Sequence, residues 1–162
     1  MLEAAGLRER PSASVLLITP TTSNNTMTAE VISASSLDGS DLAASMTVKD
    51  LQTSLDWYQN VLGFAVDQKH ERNGKLMAVS LRAGKVRMLL GQDDGAKGWE
   101  RVKGEGISLQ ITTAQSIDDV ATRIRAAGGT LETEPRDMPW GARMLALRDP
   151  DGFKLVVSGE RK

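Results

Sequence analysis

Met144-Leu145-Ala146-Leu147-Arg148-Asp149-Pro150-Asp151-Gly152-Phe153-Lys154-Leu155-Val156-Val157-Ser158 is the stretch from which the fold can be read. Two apolar runs flank Asp149–Gly152. Pro150 carries the φ that the second position of a turn needs, Gly152 accepts a positive φ, and Asp149 can bond its own backbone. Pro150 also has no N–H to offer a ladder, so the strands must end on either side of it. The stretch predicts a β-hairpin that closes the chain.

Working outward from it, Thr130–Thr133 and Arg143–Arg148 read as strands joined by a Glu134–Gly141 loop, and Phe153–Ser158 is the last strand. Before them, Ser116-Ile117-Asp118-Asp119 is a capping box. It opens a helix whose apolar stripe is Ile117, Val120, Ile124 and Ala127, and Gly128-Gly129 ends it. Ile107, Leu109 and Ile111 alternate as a strand. The first half shows the same order. Ala44, Met46 and Val48 alternate; Asp50 caps a helix with Leu51, Leu55, Tyr58 and Leu62 on one face; Gly63 stops it. Strands follow at Phe64–His70, Leu76–Arg82 and Val86–Leu90, with Asn73-Gly74 as a hairpin signal between the first two. Laying Val48–Gly63 on Ile111–Gly128 gives an internal repeat of β-α-β-β-β units. The fold class is α+β: two such modules, 41–91 and 106–159, whose strands form a cup-shaped mixed sheet with helices on the outer face, joined by a linker at 92–105.

The 162 residues are 40% hydrophobic, which suits one domain of about 41–159. Residues 1–40 are rich in Ser, Thr and Ala and lack periodicity, so a flexible tail is expected there; a start at Met27 would remove Met1–Thr26, and an arm packed on a partner subunit is the alternative. A net charge of −1 with mixed signs leaves no basic stripe, so no nucleic-acid partner is expected. Val15–Ile18 is far too short to span a bilayer, so no membrane partner is expected either. The absence of cysteine removes disulfides and thiolate sites and is compatible with the cytoplasm. His70 is the only histidine, which excludes any scheme needing two histidine ligands within one subunit.

Val48-Lys49-Asp50, Ser54–Phe64, Pro139-Trp140-Gly141 and Asp149–Gly152, in this order on the repeat, resemble the glyoxalase/bleomycin-resistance/dioxygenase domain of the vicinal-oxygen-chelate superfamily. The resemblance implies a cup with a divalent metal held by His and Glu on the first and fourth strands of each module. Transferred to this sequence, those positions are about Ala43, Leu89, Gly106 and Val156, none of which is a ligand. The resemblance is therefore with metal-free, bleomycin-resistance-like members, with no metal and no cofactor. It also implies a homodimer whose second subunit helps complete the cup.

If Met46, Met88, Leu109 and Leu155 face the helices, alternation turns Ser45, Thr47, Arg87, Leu89, Ser108, Gln110, Lys154 and Val156 to the cup. The expected ligand site is Trp140, Arg87, Gln110, Ser45, Ser108, Leu89 and Val156, with Trp140 on the rim to stack on a planar ligand. Edge packing by Trp140 and solvated charge at Arg87 and Lys154 are the plainer readings. Trp99 covers a cup or packs its own loop; Trp57 packs on the first helix. The expected function is sequestration of a drug or metabolite. The alternatives are a lyase, isomerase or dioxygenase with a non-standard site, for which Glu71, Asp67 and Glu132 are the available carboxylates, and a structural or regulatory dimer with a vestigial cup.

Overall fold

A computed structural model describes residues 40–161. Residues 1–39 and Lys162 lie outside the described residues, and with them the expected tail (Ser40 apart) and the start at Met27. The element order is β1 (Ala44–Val48), α1 (Leu51–Asn60), β2 (Ala65–Arg72), β3 (Lys75–Ala83), β4 (Val86–Gln92), β5 (Ser108–Thr112), α2 (Ile117–Ala126), β6 (Leu131–Asp137), β7 (Ala142–Arg148) and β8 (Lys154–Glu160). This is the expected pair of β-α-β-β-β modules.

Local chemistry sets the helix boundaries. The Asp50 carboxylate accepts from the Thr53 N–H at 2.8 Å, and the Ser116 hydroxyl accepts from the Asp119 N–H at 3.4 Å. Gly63 follows α1 with φ 72°, a left-handed conformation that costs glycine nothing.

Each module builds its own four-stranded sheet, in the orders β1-β4-β3-β2 and β5-β8-β7-β6. The first strand of each module pairs parallel with the last, and the remaining pairs are antiparallel. The α+β class and the modules are as expected, with the strands divided into two ladders.

Three local expectations give way to tertiary context. First, β6 runs on to Asp137 where a loop was expected from Glu134. It is an edge strand, so Pro135 needs no donor on that side, and two register shifts absorb the irregularity. Second, β5 starts only at Ser108 and leaves Ile107 64% exposed. Third, Ala121 takes the buried place on α2, while Ala127 is the exposed C-cap.

One buried cluster joins the modules. It holds Met46, Val48, Met88, Leu90, Val79 and Leu81 from the first sheet, Leu145, Leu147, Leu155 and Val157 from the second, and the apolar stripes of both helices. Because the helix-covered faces of both sheets meet there, the opposite faces are turned outward.

Candidate functional site

The outward faces carry the residues that alternation assigned to them. On the first sheet Ser45 lies opposite Leu89, and Leu89 opposite Ser80. Ser45, Thr47 and Arg87 are exposed and Leu89 is half-buried. His70 is exposed on β2, with Nε2 3.4 Å from the Ser80 hydroxyl. On the second sheet Gln110 lies opposite Val156 and Ser108 opposite Lys154. Gln110 Nε2 donates to Ser158 Oγ at 3.1 Å.

Two cavities border the second sheet's outward face. One, of about 440 Å³, is lined by residues 102–108 with Arg148 and Lys154, and so includes Ser108. The other, of about 90 Å³, is a small apolar dent between Met138, Met144 and Val156, with Arg136 and Lys154 at its edge. Neither takes a residue from the first sheet. Of the expected site, these two cavities are thus bordered only by residues of the second sheet's half. Trp140 sits in the Met138–Gly141 turn between β6 and β7, 68% exposed, and lines neither cavity.

Charge on these faces is more concentrated than the sequence reading allowed. Arg82 lies directly opposite Arg87, and Arg148 directly opposite Lys154. Glu132 reaches both members of the second pair, at 3.1 Å from Arg148 and 3.5 Å from Lys154. The hydrogen bond from Arg148 holds the Glu132 carboxyl below the usual carboxylate range. Arg82, Arg148 and Arg136 were missed because a strand arginine looks like solvated charge until its cross-strand neighbour is known.

Where the modules join, the polar groups are buried. Asp149 is 6% exposed and accepts from the Tyr58 hydroxyl at 2.9 Å and from the backbone N–H groups of Asp151 and Phe153. Burial pushes its carboxyl upward and pushes the Tyr58 phenol upward as well. Asp151 accepts from the Lys49 N–H, the Ser54 hydroxyl and Lys103 Nζ. Lys103 also pairs with the buried Asp93, whose carboxyl is held low first by the Gly95 N–H and then by Lys103. The 92–105 linker is thus clamped to both modules. Trp99 packs over Gly95 within it, and Trp57 stacks edge-on against Tyr58 with centroids 5.0 Å apart.

The sequence profile of the Glyoxalase/Bleomycin resistance protein/Dioxygenase superfamily matches residues 42–157. The chain belongs to this superfamily. The superfamily fold is shared with TioX from Micromonospora sp. ML1 at TM-score 0.62 and 20% identity, over 76% of this chain and all of that one. A glyoxalase/bleomycin resistance protein/dioxygenase from Nocardioides matches with TM-score 0.62 and 18% identity, over 80% and 88% of the two chains. Lactoylglutathione lyase from Agrobacterium tumefaciens matches with TM-score 0.57 and 17% identity, over 76% and 96%. No curated protein sequence gives a significant match. At these identities the likeness concerns the superfamily fold alone.

The metal that the superfamily implies can be tested against the donors. Ala43, Leu89, Gly106 and Val156 offer no side-chain oxygen or nitrogen, and among the described residues no group of three His, Cys, Asp or Glu side chains is placed to hold an ion. The residues at these positions do not fit a divalent metal. Among the described residues no helix is long and apolar enough to cross a membrane.

Proposed function

We propose that this superfamily member is a metal-independent small-molecule binding protein of the glyoxalase/bleomycin-resistance type. Its ligand occupies a cup formed by the outward face of the first sheet of one subunit and the outward face of the second sheet of a partner copy. The observation that carries this reading is the character of those faces. Aliphatic Leu89 and Val156 stand where a metal enzyme needs ligands, ringed by Ser45, Ser108, Gln110 and Arg87. An apolar floor with a few oriented hydrogen-bonding groups suits the binding of an organic molecule.

Two outward half-sites on one chain also favour a homodimer, since each uncovered face is half a cleft. Trp140, exposed on the β6–β7 turn, closes the rim over a planar ligand. The protein works in the cytoplasm, a compartment that suits a chain without cysteine.

Stacking of a ligand ring on Trp140 contributes about 1 kcal/mol beyond area burial. Trp140→Ala should therefore weaken the tightest ligand from a thermal-shift screen roughly tenfold by titration calorimetry, about 1.4 kcal/mol. Trp57→Phe should leave its affinity unchanged. Equal affinities in wild type and Trp140→Ala return the tryptophan to a packing role, and a monomer by sedimentation equilibrium at micromolar concentration removes the shared cup.

A further inference from the structure

The internal repeat extends to a detail that its hydrophobic pattern does not reveal. In the first module the ladder pairs Val66 with Leu81 and Gln68 with Ser80, so Asp67 is the extra residue of a bulge. In the second module it pairs Leu131 with Leu147 and Thr133 with Ala146, so Glu132 is the extra residue at the equivalent place. The cation pairs are equivalent too. Met88 and Leu155 occupy matching core positions opposite Leu81 and Leu147, and Arg87 and Lys154 immediately precede them. Each module thus carries a carboxylate on a bulge beside a cross-strand pair of cations.

The two copies differ in how completely the charge is met. Glu132 touches both Arg148 and Lys154. Asp67, one methylene shorter, reaches only Arg82, at 3.8 Å and with both side chains at least half exposed. Among the described residues Arg87 has no ion-pair partner. Like charges directly opposite on adjacent strands repel, and an anion between them removes the repulsion. Guanidinium groups are also suited to carboxylate and phosphate because their N–H donors match two oxygens at once.

We infer that the Arg82–Arg87 pair is an oxyanion site, holding the carboxylate or phosphate of a ligand where the second module uses its own Glu132. This names the ligand class of the proposed cup and rests on that reading only for the identification of the oxyanion as part of the cup ligand. The remainder of that ligand is apolar or hydrogen-bonding, to suit Leu89, Ser45 and Ser80 beside the pair.

The test uses inorganic phosphate and acetate as probes, titrated into the full chain at constant ionic strength so that general screening cancels. Wild type is expected to bind each saturably. Arg87→Gln should weaken binding at least tenfold. Asp67→Glu, which lets the bulge carboxylate reach as Glu132 does, should weaken it similarly while leaving the fold intact by circular dichroism. Glu132→Gln should add a second phosphate equivalent. Unchanged phosphate affinity in Arg87→Gln, or no saturable binding by wild type, would overturn the assignment and leave the cup reading standing. If phosphate binding depends on Arg87 but does not compete with a ligand lost in Trp140→Ala, the oxyanion site holds and its place in the cup is wrong.

Discussion

At the β3–β4 hairpin, Ala83–Val86 turns without a side-chain hydrogen bond among the described residues. At the β7–β8 hairpin, Asp149 and Asp151 bind Tyr58 and Ser54 of α1 and the Lys49 N–H just before it, and Asp151 binds the linker through Lys103. The same contrast runs through the sheets, where Glu132 closes one cation pair and Asp67 leaves the other partly open. In the second module the turn carboxylates and the strand cations are met from within the chain. The first keeps donors available on its outward face. A repeat in pattern need not be a repeat in role, because one methylene or one turn decides whether a charge is met from inside.

The strongest way to break this comparison is Asp149→Ala. It leaves the Tyr58 hydroxyl and two backbone N–H groups without an acceptor, and should cost about 3 kcal/mol, roughly 10 °C in thermal midpoint. The control in the other hairpin, Lys85→Ala, should move the midpoint by no more than about 2 °C. Equal midpoints for the two variants would mean that the β7–β8 turn is not what ties the modules.

A smaller effect is expected from acid. Glu132 has its folded-state pKa depressed by Arg148, so its stabilisation is present above the unfolded carboxylate value of about 4.3 and is lost as pH falls through the folded value. Asp118, held low by hydrogen bonds from Arg143, adds in the same direction. Asp149 acts oppositely: its raised pKa makes its ionisation unfavourable to folding as pH rises. Denaturant unfolding followed from pH 7 to pH 3 should show stability falling toward acid, with a shallower fall in Glu132→Gln. An identical slope would remove Glu132 from the account.

The smallest effect sharpens the comparison most. Asp67→Glu should raise the thermal midpoint by about a degree, the scale of one exposed ion pair. A lower midpoint would show that the longer carboxylate cannot bridge Arg82 and Arg87.

Much of this arrangement is legible in the chain itself. Asp149-Pro150-Asp151-Gly152 determines its own turn, the caps at Asp50 and Ser116 determine where the helices begin, and period-two alternation determines which side of Met46, Met88 and Leu155 faces the core. These are local rules, satisfied within a few residues, and so they survive without knowledge of the partners. The four positions without a metal donor come from the family resemblance, and alternation adds only which face of its strand each would occupy.

What lies between elements was decided elsewhere. The Asp149–Tyr58 bond joins residues 91 positions apart, and the linker's clamp depends on Lys103 meeting Asp93 and Asp151 at once. Bulges at Asp67 and Glu132 are invisible to alternation because the register shift exists only between paired strands. The outward direction of the two half-sites follows from both covered faces sharing one cluster. The elements and the faces they offer follow from local pattern along the chain, whereas which charges are met follows from strand pairing, because an ion pair is a property of two positions and a distance.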